Sequence, residues 1–142
     1  MAERTFTGRP LLAGACRGSA LVLDEPLSFW GGVDPASGAI VDVHHPQRGA
    51  SVAGRVLVLP AGRGSSSSSS VLAECLMAGV GPIAIVLGEP DAILLVGAVV
   101  AVELGGPTCP VVVVPDAPKS IATGQLVRVD ADGALTVDDG AT

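Results

Sequence analysis

The chain has 142 residues, enough for one domain with a real core and too few for two comfortable ones. Its formal net charge is −6, its Lys and Arg are scattered singly, and its only aromatics are Phe6, Phe29 and Trp30, so it lacks the basic stripe and stacking surfaces that nucleic acid requires. The 49% apolar content comes from Val, Ala, Leu and Ile beside 19 glycines and 11 prolines, which favours short β-branched strands with a few helices over a helical bundle.

Phe6 to Leu12 and Gly18 to Leu23 read as two short strands joined by the turn-prone AGACRG, most economically a β-hairpin. DEPLSFWGGVDPASGAIVD, residues 24–42, follows as a long structured loop bracketed by proline and glycine. Phe29 and Trp30 either anchor this loop in the core or serve a functional role. Ser28, Gly31, Gly32 and Asp34 place small and polar groups around an approachable backbone, which is how ligand loops are made. The adjacent His44 and His45 point in different directions and make poor partners for one metal, so structural or supporting roles are expected.

The next stretch, RVLVLPAGRGSSSSSSVLAECLM, organises the rest. Val56 to Leu59 is a continuous apolar run ended by Pro60, the pattern of a buried strand. The period then changes: Val71, Leu72, Cys75 and Leu76 form a helical stripe, and Gly79 stands where a C-terminal cap belongs. A strand that passes through AGRGSS straight into a helix aims backbone N–H groups and the positive helix end at one spot, which suits an anion. Ser65 or Ser66 is the natural N-cap. Two plainer readings stay open: six consecutive serines also suit a flexible tract, or simply cap a structural helix. The turn lacks the Gly-Lys-Ser/Thr ending of a P-loop, which argues against a nucleoside triphosphate.

Gly81-Pro82 turns the chain into a strand from Ile83 to Leu87, completing a strand–helix–strand unit, most simply a parallel crossover. Asp91 is placed to cap a helix over Ala92 to Leu104, GGPTCP ends it, and Val111 to Val114 forms the next strand. The tail, GQLVRVDADGALTVDDG, alternates about Asp132-Gly133 as a hairpin does. The apolar Ala92–Leu104 segment is too short to cross a bilayer and MAERTFTGRP is no signal peptide, so no membrane contact and a cytoplasmic location are expected. Cys16, Cys75 and Cys109 are widely spaced with no CxxC, the pattern of buried free thiols rather than metal ligands. The whole is expected to be a single mixed α/β domain with β-rich ends flanking a central βαβ unit.

PLSFWGGVDPASG together with the strand–GRGS–helix unit at this separation resembles the small subunit, or swivelling domain, of the aconitase X family of dehydratases, over about residues 8 to 137. The resemblance implies a swivelling β/β/α fold and an active site completed by a large subunit. That partner would hold an iron–sulfur cluster, with no metal on this chain. It implies that Ser65, the first serine after Gly62-Arg63-Gly64, abstracts a proton, with Arg63, Gly64, Ser66, Ser28, Gly31 and Gly32 around a small carboxylate substrate. Aconitase has an arginine two residues after its equivalent serine; Ser67 stands there instead, so tricarboxylate binding is not expected. Archaeal members of the family dehydrate mevalonate 5-phosphate and bacterial members cis-3-hydroxy-L-proline. GRGSSSSSSVLAE and HHPQRG look more like the bacterial form. A non-catalytic docking module that kept the fold is the reading from another class.

Overall fold

The computed structural model describes residues 2–139. The described elements are β1 (Glu3–Phe6), β2 (Arg9–Leu12), β3 (Cys16–Val22), β4 (Val56–Leu59), α1 (Ser67–Met77), β5 (Ala84–Leu87), α2 (Ala92–Glu103), β6 (Val111–Val113), α3 (Ala117–Ser120), β7 (Leu126–Val129) and β8 (Leu135–Asp138). The strands lie in the order β1-β8-β7-β3-β4-β5-β6-β2.

The sheet divides along β3, whose first half, Cys16 to Ser19, pairs antiparallel with β7 while its second half, Ala20 to Val22, pairs parallel with β4. The second half of β3 and strands β4 to β6 form the parallel centre, and their unbroken apolar sequences reflect burial on both faces. Leu57, Leu59, Ile85 and Leu87 face α1 and α2. Val56, Val58, Ala84 and Val86 face the other way and share a core with α3 and with Val127, Val129, Leu135 and Val137 of the β7–β8 hairpin. The sheet therefore folds over itself, giving a β layer on a β layer on a helix layer, a mixed α/β domain of the kind expected.

The β4–α1–β5 unit is parallel, in register from Val56↔Ala84 to Leu59↔Leu87, and the C-terminal hairpin pairs Leu126↔Asp138 to Val129↔Leu135. The N-terminal hairpin does not form. The expected strand from Phe6 to Leu12 is split at Gly8, where a Cβ would clash with the Gly133 carbonyl oxygen. Phe6 ends β1, which pairs with β8, whereas Arg9 to Leu12 form β2 at the opposite edge, on β6. The physical reason lies in the two sequences. Pro10 has no N–H to donate to a ladder and suits an edge, whereas Ala20 to Leu23 are buried throughout and need neighbours on both sides. The short α3 is an element that the sequence pattern does not announce.

Candidate functional site

The turn between β4 and α1 is shaped by its two glycines. A Cβ on Gly62 would lie 2.6 Å from Asp91 Oδ2, the carboxylate that caps α2 by accepting the Leu94 N–H at 2.9 Å. Gly64 has a φ of +103°, and a Cβ there would meet Ser28 Oγ at 2.6 Å and Ser68 Oγ at 3.2 Å. One glycine permits a close approach and the other the left-handed backbone that swings Ser65 to the surface. Arg63 between them donates its N–H to the Leu27 carbonyl at 3.2 Å. Its exposed guanidinium lies 3.9 Å from Asp42, a loose pair open to solvent.

Helix α1 begins at Ser67, with Ser66 as its cap residue by position but not by side chain, because the Ser66 hydroxyl makes no capping bond. Ser65 supplies part of the missing cap, since its Oγ accepts the Ser67 N–H at 3.3 Å and its carbonyl accepts the Ser68 N–H at 2.9 Å. The N–H groups of Gly64, Ser65 and Ser66 make no hydrogen bond among the described residues. With the dipole of an eleven-residue helix behind them, they form an open positive end beside the Ser65 hydroxyl. The far end of α1 closes as Gly79 implied: at φ +77°, its N–H reaches Leu76 O at 3.2 Å and the Val80 N–H reaches Cys75 O at 3.0 Å.

The serine run is thus neither a flexible tract nor a uniform cap. Ser65, Ser66 and Ser67 are exposed, whereas Ser68 and Ser69 are buried. Ser68 Oγ accepts the Trp30 N–H at 3.2 Å and lies 3.2 Å from Ser28 Oγ, which donates to the Trp30 carbonyl at 3.1 Å. The Ser69 hydroxyl donates to the Ile93 carbonyl at 2.6 Å, tying α1 to α2 where Gly97 lets the helices approach. Sequence reasoning missed both roles. The signal was present, since Ser68 and Ser69 lie one helical turn before the buried Leu72 and Ala73.

Among the expected ligand groups, the structure gathers Ser28, Arg63, Gly64, Ser65 and Ser66 at one edge, beyond the carboxyl ends of the parallel strands. The Ser28 proton is spent on the Trp30 carbonyl, which makes Ser28 a brace for the turn. Gly31, at φ +75°, is exposed with open space around it; Gly32 is buried, and a Cβ there would clash with the Ser28 carbonyl oxygen. That close approach is therefore internal to the loop. The two aromatics also part company: Phe29 is fully buried, while Trp30 is 64% exposed, so Phe29 alone of the pair anchors the loop. His45 is buried, its Nδ1 accepting the Gln47 N–H at 3.1 Å and its Nε2 lying 3.3 Å from the Glu25 carbonyl oxygen, a structural role.

The thiols are free. Cys75 and Cys109 are buried as expected, and Cys16 is only half-buried. Burial, with smaller contributions from Glu74 and Asp34, pushes the Cys75 thiol up to about 11; burial and Cys16 push Cys109 higher still. Such thiols resist the deprotonation that metal binding demands. No cluster of three His, Cys, Asp or Glu suited to a metal occurs among the described residues, so an iron–sulfur cluster does not fit this chain's own side chains. No helix among them is long and apolar enough to cross a membrane.

Comparison with known proteins agrees with this architecture. The family model of the aconitase X swivel domain matches residues 5–137. A cis-3-hydroxy-L-proline dehydratase of Pseudomonas aeruginosa is 46% identical over 127 residues, which are 89% of this chain but 22% of that protein's length. The phosphomevalonate dehydratase small subunit of Thermococcus sibiricus is 41% identical over 133 residues, covering 93% of this chain and 97% of the subunit. The holo crystal structure of Thermococcus kodakaraensis aconitase X superposes with a TM-score of 0.86 at 36% identity, over 96% of this chain and 99% of that one. The β/β/α layers are thus those of a swivel domain, and this chain belongs to the aconitase X family.

Proposed function

We propose that this chain is the small subunit of a hydro-lyase that converts cis-3-hydroxy-L-proline to 1-pyrroline-2-carboxylate, with Ser65 as the group that accepts the substrate's α-proton. The observation that carries the reading is the Ser65 turn. A serine hydroxyl is a feeble base, and its conjugate oxyanion needs positive potential and hydrogen-bond donors. Ser65 Oγ already receives the Ser67 N–H and stands at the open N-terminal end of α1. Helix dipole and N–H donors therefore favour the charged form of this oxygen over that of Ser68 or Ser69, which are buried and committed to structural bonds. In the reaction the α C–H bond breaks, its proton passes to Ser65, and its electrons form the Cα–Cβ double bond. The β-hydroxyl departs as water, taking up a proton equivalent to the one Ser65 gained, whose release restores Ser65. The resulting enamine tautomerises to the cyclic imine.

The charges around the turn support the amino-acid substrate over the phosphorylated one. Arg63 is loosely paired with Asp42, Asp91 lies against Gly62, and Asp34 and Glu74 line the groove beside Trp30. A rim with this balance suits a zwitterion whose ammonium offsets its carboxylate. A carboxylate carrying a phosphate would meet repulsion that this subunit has few cations to offset. The identity to the Pseudomonas aeruginosa dehydratase, 46%, points the same way. In this reading the large subunit would hold the iron–sulfur cluster that the family implies.

Assay of the complex with its large subunit, prepared anaerobically, tests this reading. Wild type should form pyrroline carboxylate from cis-3-hydroxy-L-proline and exchange the substrate α-proton with deuterated solvent. Ser65→Ala should keep the complex and lose both by about 10²-fold or more. Turnover of mevalonate 5-phosphate in place of hydroxyproline would overturn the substrate. Near-normal exchange in Ser65→Ala would overturn the base, and a complex inactive on both substrates would favour the non-catalytic docking module.

A further inference from the structure

The outer face of the β1–β8–β7–β3 sheet carries its charges in an order that its own strands do not satisfy. Val127, Val129, Leu135 and Val137 point into the core, so the residues that alternate with them face outward. The registers then set two rows across the four strands. One row is Glu3, Asp138, Leu126 and Ser19, and the next is Thr5, Thr136, Arg128 and Arg17. Glu3 therefore stands directly opposite Asp138, and Arg17 directly opposite Arg128. Like charges in facing positions are destabilising, and exchanging one carboxylate with one arginine would have made both pairs attractive. Glu3 and Arg17 make no ion pair among the described residues.

The rows meet over a hollow of about 190 Å³ lined by Glu3, Arg17, Leu126, Arg128, Thr136 and Asp138. Thr136 is buried at its floor and accepts Arg128 Nη2 at 3.1 Å, while Arg128 Nε reaches Asp130 at 3.3 Å in an exposed pair. Arg128 is thus partly held in place before anything binds. A simple anion drawn to the arginines would be repelled by the carboxylates, and a simple cation the reverse. A ligand carrying both charges gains from both rows. The rows lie two residues apart along each strand, about 6.6–6.8 Å at the usual rise, a wider spacing than the single carbon between the ammonium and carboxylate of an α-amino acid. We propose that this hollow binds a small ω-amino carboxylate, its carboxylate on the Arg17–Arg128 row and its ammonium on the Glu3–Asp138 row. Guanidinium groups suit a carboxylate through paired, charge-assisted hydrogen bonds, and Leu126 offers the methylene chain an apolar surface. The hollow shares no residue with the Ser65 turn, so the proposal stands apart from the dehydratase reading.

The test is titration of the isotope-labelled full chain with 5-aminovalerate, read from its amide NMR spectrum against a sodium chloride blank of equal ionic strength. Saturable shifts should centre on Arg17, Arg128 and Thr136. Valerate and pentylamine each carry one of the two charges, and L-proline carries both on adjacent atoms of one carbon; all three should bind about 10-fold more weakly or worse. Arg17→Gln and Glu3→Gln each remove one charge at an exposed position, so circular dichroism should stay that of wild type while affinity for 5-aminovalerate falls by about 10-fold. Arg9→Gln, exposed on β2 at the far edge of the sheet, should leave affinity unchanged. Shifts no larger than the salt blank overturn the proposal, as does unchanged affinity in both charge-removing variants. Valerate binding as tightly would make this a plain anion site, and L-proline binding as tightly would show that charge spacing is not read; either result overturns it. So would row shifts that grow with protein concentration in the absence of ligand and vanish in Arg17→Gln, since a second copy would then fill the face.

Discussion

Gly64 offers a perturbation whose cost is readable from the structure in two separable parts. Gly64→Ala places a Cβ on a residue at φ +103°, and left-handed backbone costs a non-glycine residue about 1–2 kcal/mol. The new Cβ would also meet Ser28 Oγ at 2.6 Å and Ser68 Oγ at 3.2 Å, and overpacking of this kind costs typically about 1–3 kcal/mol. The variant should therefore be destabilised by roughly 2–5 kcal/mol in urea unfolding, combining the two contributions. Only the second part depends on Ser28. Ser28→Ala alone should cost about 1 kcal/mol through its lost hydrogen bond, yet it removes the oxygen that Gly64→Ala would strike. The double variant should thus be less destabilised than the sum of the singles by about 1–2 kcal/mol, within the range measured for contacting residues. Dehydratase activity of the reconstituted complex should stay depressed in the double variant, since the backbone strain still displaces Ser65, and a shift of about 1 Å at a reacting group can cost 10²-fold. Strict additivity would refute the contact, and a Gly64→Ala protein as stable as wild type would refute the left-handed turn itself.

Other expectations follow from the same geometry. Ser69→Ala removes a buried 2.6 Å bond to the Ile93 carbonyl and should cost about 1 kcal/mol of stability, while α-proton exchange per folded complex stays near wild type. Iodoacetamide should label half-buried Cys16 in the native chain, and Cys75 and Cys109 only on unfolding, as peptide mapping would show. The Cys75 thiol has its folded pKa raised to about 11, so its contribution to stability is complete below the ordinary thiol range and is lost as pH rises towards that value; Cys75→Ala should lessen alkaline destabilisation in this window. At the other extreme, Arg4 holds the Asp139 carboxyl below its usual range through hydrogen bonds at 2.6 and 2.8 Å. That pair stabilises above the ordinary carboxylate range and is lost on acidification, so Arg4→Gln should melt lower at neutral pH and show a shallower decline in acid.

How far the sequence can be read depends on whether a residue's role is set locally. The turn at Gly64, the Schellman end at Gly79, the Asp91 cap and the hairpin about Gly133 are all legible because each is decided by backbone sterics within a few residues. The pairing of β2 and β3 was not legible, because two adjacent strands with a glycine-containing connection look alike whether they join each other or part to opposite regions of a sheet. What separates them here is non-local: β3 needs neighbours on both sides, and Pro10 keeps β2 at an edge. The serine run shows the same boundary inside one motif. Composition treats Ser65 to Ser70 as equivalent, but helical geometry divides them. Positions in phase with Leu72 turn inward and become structural, and those before the first helical turn stay at the surface and are free for chemistry. That phase also shifts which serine is dispensable. Sequence spacing alone sets Ser69 aside as distant from the turn, yet its hydroxyl holds α1 to α2, so a reaction-specific defect and a stability defect should fall on residues only one helical turn apart. The base proposed above needs an open approach and donors for its oxygen, and Ser65 is exposed, accepts a backbone N–H and stands beside the helix end.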